Sequence, residues 1–142
     1  NGAGWYHYPN GNIAVDPKVE DIICREAEAA NIKRRHFSSD EIQQRLLLAM
    51  INEAANTLNE GIAVSAADID LVLVHGYGFP RWRGGLMHYA DQLGASLIMA
   101  ELTKLCDEDP LFWQPSRLII DCAKTGQDFA SYNDQSAKQP IL

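Results

Sequence analysis

The chain has 142 residues, enough for one domain with a hydrophobic core and too few for a typical two-domain enzyme. Its 12 basic and 19 acidic residues give a net charge of −7, so we expect no binding to nucleic acid, whose phosphates are anionic. No apolar run reaches the roughly 18 residues that a membrane-spanning helix needs. Because the chain starts at Asn1 rather than Met, we expect a piece of a longer protein or a processed chain.

The first 30 residues predict an arm followed by a helix. Residues 1–15 are rich in Gly, Asn and aromatic side chains, and we expect an extended linker arm without regular structure. Asp16 and Pro17 then form a helix start, with Asp as N-cap and Pro at the first helical position. Apolar residues follow at helical spacing until about Asn31. We expect the basic triplet at 33–35 in the last turn of this helix, where cations meet the negative end of the dipole.

A second, longer helix is the clearest element of the pattern. Ser38 and Glu41 form a capping box, in which each side chain satisfies a backbone N–H of the first turn. Gly61 is placed to end the helix in a left-handed conformation. A broad apolar stripe recurs between them at steps of three and four residues: Ile42, Leu46, Leu47, Met50, Ile51, Ala54, Ala55 and Leu58. We expect this to be the central helix.

Four further helices complete the predicted fold. Ser65 and Asp68 repeat the capping pattern and start a helix that runs to about Val74. Later helices end near Gly94 and before the acidic segment at 107–109, and a last helix begins after Pro115. The pattern therefore predicts an all-α fold, a compact bundle of about six helices over residues 16–130, followed by a flexible tail at 131–142.

A different interpretation treats Ile69–Val74 as a buried strand and Gly76-Tyr77-Gly78 as the start of a dinucleotide-binding turn. That turn needs Gly-x-Gly-x-x-Gly, but the third position is Arg81. Pro80 also lies where the N-terminus of a helix would have to offer N–H groups to a pyrophosphate. Since the Ser65 cap also favours a helix, we reject the nucleotide site.

The segment after this helix is rich in glycine, aromatic residues and arginine. We expect a structural loop formed by Gly76, Gly78, Pro80, Gly84 and Gly85. Phe79 is expected to enter the core. Trp, Tyr and Arg often anchor interfaces, so the remaining large side chains of the loop and those of the arm predict an interaction patch. Its members are Trp5, Tyr6, Tyr8, Tyr77, Arg81, Trp82 and Arg83.

No catalytic, cofactor-binding or metal-binding residue emerges from the sequence. The four histidines have no metal-ligand spacing, and the serines at helix starts are explained as caps. Arg45 and Glu53 share a face of the central helix, where we expect structural ion pairs. We expect Cys24, Cys106 and Cys122 to be buried, reduced thiols.

Five segments of the chain carry a family resemblance: Ser39–Ile42, Arg45–Ala55, Glu60–Ile62, Ala67–Asp70 and His75–Gly85. They resemble the C-terminal helical repeat of 3-hydroxyacyl-CoA dehydrogenases, and most of all the second repeat of multifunctional fatty-acid β-oxidation enzymes. These enzymes join an enoyl-CoA hydratase to the dehydrogenase. Gly4–Tyr8 looks like the linker between the two repeats.

The resemblance implies that the NAD-binding Rossmann domain, the first helical repeat and the catalytic His–Glu pair lie outside this chain. Gln44 occupies the position of an Asn that helps the active site in the first repeat, which implies a structural copy. The chain would then pack against those missing domains and help shape the acyl-CoA cleft, with NAD bound by the parent enzyme alone.

Three further expectations remain. A stand-alone helical interaction module, using the aromatic and arginine patch, is the alternative function. Exposed apolar surface around Trp5 and Trp82 would let the isolated chain form a homodimer. The residues Gln139–Leu142 do not form a peroxisomal address, so we expect a cytoplasmic protein.

Overall fold

The chain divides into two compact units between Ser38 and Ser39. The computed structural model describes residues 4–132. The predicted division into residues 1–15, 16–130 and 131–142 stays a prediction, and from residue 133 onward the predicted tail lies outside the described residues.

The arm contains a small sheet, contrary to the expectation of an arm without regular structure. Strands β1 (Tyr6–His7) and β2 (Ala14–Val15) pair antiparallel. Asn10 and Gly11 have φ angles of 54° and 80° in the connection between them. The Asn-Gly pair favours these left-handed angles, and alternating aromatic and β-branched residues on either side favour strands. These were the signals for a hairpin.

Helix α1 (Pro17–Ala29) begins as predicted. The Asp16 carboxylate accepts the Lys18 N–H at 2.9 Å, and Pro17 occupies the first position. The helix ends earlier than expected, because Asn31 adopts a left-handed φ of 55°. The Ile32 N–H then donates to the Ala27 carbonyl, which completes a Schellman ending.

The basic triplet therefore follows α1 instead of forming its last turn, and that prediction was wrong. Within the triplet, the Arg34 guanidinium donates to Cys24 Sγ at 2.6 Å, and the Arg35 guanidinium lies 3.8 Å from the centre of the Phe37 ring. Cys24 is exposed, so the expectation of a buried thiol fails here as well. Helix α1 buries no residue, and apolar spacing alone does not ensure burial.

The second unit is built around α2 (Ser39–Asn59), which packs against three other helices. The helices that follow are α3 (Ala66–Gly76), α4 (Leu86–Leu93), α5 (Ala95–Leu105) and α6 (Arg117–Thr125), with 3-10 turns at Arg81–Arg83 and Phe129–Ser131. Six α-helices between residues 4 and 132 confirm the predicted all-α class, to which the two-stranded sheet of the arm is a minor addition.

Helix α3 settles the choice between helix and strand at Ile69–Val74. The Asp68 N–H donates to Ser65 Oγ at 3.2 Å, and the Ser65 hydroxyl donates back to Asp68 Oδ2 at 2.8 Å. This N-terminal cap starts a helix that runs through the whole apolar segment. In the part of the chain that the structure describes, no helix is long and apolar enough to cross a bilayer.

Only part of the predicted stripe of α2 reaches the core. Ile51, Ala54, Ala55 and Leu58 are buried, as predicted. The earlier members Ile42, Leu46 and Met50 are exposed instead. They share a face at four-residue spacing, so the N-terminal half of α2 presents an apolar strip outward.

The core lies where α2, α4, α5 and α6 meet, with contributions from the loops. Its largest fully buried side chains include Met87, Ile98, Ile119 and Phe129. Phe79 is buried too, which confirms its predicted place in the core. Two cysteines also lie inside, Cys122 buried and Cys106 half-buried.

Candidate functional site

The glycine-rich loop connects α3 to α4 as a tight, rigid turn. Gly76 ends α3, and Gly78 follows with a left-handed φ of 73°. The Phe79 N–H donates to the Leu73 carbonyl at 2.9 Å, which folds the loop back on the helix. Pro80 leads into the 3-10 turn at Arg81–Arg83.

Asp70 joins the two ends of this loop. Helix α4 has no side-chain cap from its own N-cap residue, Gly85. Instead the Asp70 carboxylate on α3 accepts the Met87 N–H at 2.6 Å and the His88 N–H at 3.1 Å. A carboxylate at a helix N-terminus satisfies free N–H groups and complements the dipole. The carboxylate fits only because the adjacent Gly85 has no Cβ.

The 3-10 turn presents the central part of the predicted patch. The Arg83 guanidinium lies 4.6 Å from the centre of the Trp82 ring and 4.5 Å from that of Tyr89, so two aromatic rings hold it. Tyr77 and Trp82 are each 80% exposed. The Arg81 side chain is exposed and pairs with no other residue in the range 4–132.

The aromatic residues of the arm belong to the other unit. Trp5, Tyr6 and Tyr8 are all exposed, Tyr6 in β1 and Trp5 and Tyr8 on either side of that strand. The predicted patch thus consists of two groups, one in each unit. Exposure of so many large aromatic and cationic side chains is typical of protein interfaces.

Beneath Arg83 lies a cavity of about 280 Å³ between α2, α4 and α5. Its floor is apolar, with Leu48, Ile51 and Ile98 among the lining residues. Gln44 also lines it, and the Gln44 amide donates to Glu101 Oε2 at 3.2 Å. Gln44 therefore binds a neighbouring helix, which agrees with the structural role that the resemblance implies for it.

Arg45 forms structural ion pairs, as predicted. Its guanidinium makes a bidentate pair with Glu108 at 2.8 and 2.7 Å and a third bond to Glu41 at 3.1 Å. The hydrogen bond to Glu108 raises the pKa of Arg45 further. Glu53 is exposed and takes no part. The pair fastens the acidic segment after α5 to the start of α2.

Asn52 was missed by the sequence analysis. Its amide donates to the Gln114 carbonyl at 2.9 Å and its Oδ1 accepts the Ser116 N–H at 2.8 Å. It is buried at 7% exposure, and it ties the segment before α6 to α2. The sequence did contain one signal for a buried amide, because Asn52 is a polar residue next to Ile51 of the apolar stripe.

Asp91 on α4 holds the C-terminal 3-10 turn in a similar way. Its carboxylate accepts the Phe129 N–H at 2.7 Å and the Ala130 N–H at 3.1 Å. Burial raises the pKa of Asp91 above its ordinary value of 3.8, although the two backbone hydrogen bonds act in the opposite direction.

This raised pKa predicts a pH dependence of stability. Between the unfolded value and the raised folded value, the folded chain binds more protons than the unfolded chain, so the contribution of Asp91 falls as pH rises through that window. We expect the free energy of unfolding of the wild type, relative to Asp91→Asn, to be greatest below pH 3.8 and to decline above it. Urea titrations of the wild type and of Asp91→Asn at several pH values test this. If the free energy of unfolding of Asp91→Asn changed with pH as steeply as that of the wild type, the prediction would be contradicted.

No catalytic arrangement forms among these residues. His75 is exposed at the end of α3, and its side chain makes no hydrogen bond within residues 4–132. Over that range no three His, Cys, Asp or Glu side chains come together as metal ligands. Burial raises the pKa of the Cys122 thiol, which disfavours the reactive thiolate. The site is suited to packing and binding.

Residues 42–128 match the family described as 3-hydroxyacyl-CoA dehydrogenase, C-terminal domain. The human peroxisomal bifunctional enzyme is 42% identical over 112 residues, covering 77% of this chain and 16% of that protein. A peroxisomal fatty acid beta-oxidation multifunctional protein of Arabidopsis thaliana is 34% identical over 131 residues, covering 89% and 18%. The solved structure of (S)-3-hydroxybutyryl-CoA dehydrogenase from Ralstonia eutropha superposes with a TM-score of 0.55 at 25% identity, covering 82% of this chain and 40% of that one.

Three conclusions follow from these comparisons. The chain spans less than a fifth of the length of the curated relatives it matches. The expected cytoplasmic location is wrong, because these relatives are peroxisomal enzymes; that expectation depended only on the last four residues. The family match over residues 42–128, with the helical fold that carries it, establishes that the chain belongs to the family of 3-hydroxyacyl-CoA dehydrogenase C-terminal domains.

Proposed function

We propose that this chain is the C-terminal helical domain of an NAD-dependent (3S)-3-hydroxyacyl-CoA dehydrogenase of fatty-acid β-oxidation, on a parent that also carries an enoyl-CoA hydratase. The observation that carries the proposal is the family match at 42–128, together with 42% identity to a bifunctional enzyme. The domain supports the acyl-CoA cleft, and the chemistry takes place on the remainder of the parent.

The residues described here do not fit NAD, which supports placing the cofactor elsewhere in the parent. Gly76-Tyr77-Gly78 ends a helix, whereas a dinucleotide turn leads from a strand into a helix. The helix that follows the loop has its first N–H groups occupied by Asp70, so they are not available to a pyrophosphate.

The patch of exposed aromatic and arginine side chains is the proposed contact with the rest of the parent. Arg83 is held in place by Trp82 and Tyr89, so little side-chain entropy is lost when a partner binds it. Trp5, Tyr6 and Tyr8 of the arm form a second contact. A stand-alone interaction module would use the same residues, but no observation favours that function over the role of a C-terminal domain in a larger enzyme.

A chimera tests this function. In the human peroxisomal bifunctional enzyme, the segment that this chain matches is deleted in one variant and replaced by this chain in another. We expect the deletion to lose dehydrogenase activity with acetoacetyl-CoA and NADH, and the chimera to recover it by at least about tenfold. The isolated chain should show no activity and no NAD binding by calorimetry.

Two controls make the result decisive. A chimera carrying Gly85→Ala should recover less activity, because this change disrupts the glycine-rich loop. The hydratase activity of every variant reports whether the remainder of the enzyme is folded. Dehydrogenase activity in the isolated chain, or an inactive chimera with normal hydratase activity, would contradict the proposal.

A further inference from the structure

An open apolar groove of about 670 Å³ runs between α2 and α3 in the second unit. Ala54 and Leu86 form its buried floor, while Met50, Ile62 and Val72 are exposed along it. Apolar side chains scattered singly over a surface need no explanation, but a contiguous group of them marks an interaction site. The sequence pattern did not predict this groove, although the helices α2 and α3 that form its walls are consecutive in the chain.

The exposed strip on α2 extends the groove. Ile42 and Leu46 precede Met50 at four-residue intervals and lie on the same side of the helix. At 1.5 Å per residue, these eight residues add about 12 Å of apolar surface in line with the groove. A surface of this length and composition suits the apolar face of a helix of about three turns.

The charges around the groove indicate which kind of helix would bind in it. Glu53 and Asp68 are the ionisable residues that line it, and no Lys, Arg or His does. The Glu53 carboxylate forms no hydrogen bond or ion pair within residues 4–132, although its backbone carbonyl accepts the Thr57 hydroxyl. Asp68 bonds to the Ser65 hydroxyl at 2.8 Å, which leaves its negative charge in place. A partner that brings cations to this rim would gain favourable pairing and faster association.

The same charges argue against two other occupants. An acyl-CoA carries several negative charges on its phosphates, which the rim carboxylates would repel. A second copy of this chain has a net charge of −7 and would bring its own Glu53 and Asp68 to a symmetric contact. The chain itself spans only 16% of the length of its human relative, so most of such a parent lies outside it.

We propose that the groove between α2 and α3 binds an amphipathic helix with Lys or Arg on its flanks, supplied by the part of the parent enzyme that lies outside this chain. The source of the helix depends on the proposed function. The groove's preference for an apolar, basic-flanked helix depends only on the residues that line it.

Synthetic helices test the groove directly. Two labelled 18-residue peptides share one stripe of Leu at helical spacing and differ only in their flanking residues, Lys in one and Glu in the other. Fluorescence anisotropy with the 142-residue chain should show the Lys peptide binding at least about tenfold more tightly than the Glu peptide. Equal affinities would overturn the charge argument.

Adjacent residues of α3 supply a matched control. Val72 and Leu71 are 57% and 58% exposed, yet only Val72 lines the groove. We expect Val72→Asn to weaken binding of the Lys peptide about tenfold and Leu71→Asn to leave it unchanged. Glu53→Gln should reduce the preference for Lys flanks, and the exposed Glu60→Gln should not. Equal effects of the two Asn variants would overturn the assignment of the groove.

Two further measurements identify a different occupant. If sedimentation velocity shows a dimer of the wild type that Val72→Asn abolishes, the occupant is a second copy and the proposal fails. If palmitoyl-CoA displaces the Lys peptide, the groove binds acyl chains and the proposal fails. If the Lys peptide binds as expected but the chimera is inactive, the proposed function fails and the groove proposal stands. If the chimera is active but the Lys peptide does not bind, the groove proposal alone fails.

Discussion

Gly85→Ala should destabilise the second unit by about 4 kcal/mol. Gly85 has a φ of 129°, a region that costs other residues of the order of 1–3 kcal/mol. A Cβ at this position would also overlap the Asp70 carboxyl group. Moving that carboxylate leaves the N–H groups of Met87 and His88 without their acceptor, which adds about 1–3 kcal/mol. Urea denaturation of the purified chain measures the loss.

Gly76→Ala is the matched control from the same loop. Gly76 lies at the end of α3 with no left-handed φ, and a Cβ there meets no atom within 4 Å. Alanine also restricts the unfolded chain, so we expect no loss and a gain of up to about 1 kcal/mol. Equal losses in the two variants would show that the loop does not depend on the close approach of Asp70 to Gly85.

Asn52→Ala should cost about 3 kcal/mol. The change leaves the Gln114 carbonyl and the Ser116 N–H without hydrogen-bond partners in the protein interior. Each buried unsatisfied group costs about 1–3 kcal/mol. Asn52→Asp keeps an acceptor for Ser116 but turns a carboxylate oxygen towards the Gln114 carbonyl, so it should not restore stability. The free energy of unfolding from urea titration is the measurement.

Asn59→Ala controls for the loss of an asparagine from the same helix. Asn59 is the exposed last residue of α2 and bonds to no other side chain in the described part of the molecule. Its replacement should change the free energy of unfolding by less than about 0.5 kcal/mol. A loss at Asn59 as large as that at Asn52 would contradict the role assigned to the buried amide.

Local signals predicted the helices well, because the chemistry of their ends is local. Ser65 and Asp16 cap their helices as predicted, since the side chain of each accepts a backbone N–H of the first turn. Gly61 and Gly126 end their helices with left-handed φ angles of 71° and 70°. The cap and the stop residues lie within a few positions of the hydrogen bonds they make, so the sequence alone suffices to locate them.

The burial of side chains and their hydrogen-bond partners were predicted less well, because both depend on residues far away in the chain. Periodicity marked all of Ile42 to Leu58 as one stripe, but only the part of α2 that meets other helices is buried. Asp70 accepts N–H groups 17 and 18 residues later. Asn52 joins residues 62 and 64 positions away. No spacing rule covers such separations.

The N-terminal cap of helix α4 is the Asp70 side chain, which belongs to α3. A segment of eight residues is too short to persist as a helix in water, and Gly85 offers no side chain to start one. Its first turn gains its acceptor only when Asp70 has been positioned by a formed α3. The stability of α4 therefore depends on that of α3, and we expect the two helices to form and unfold together.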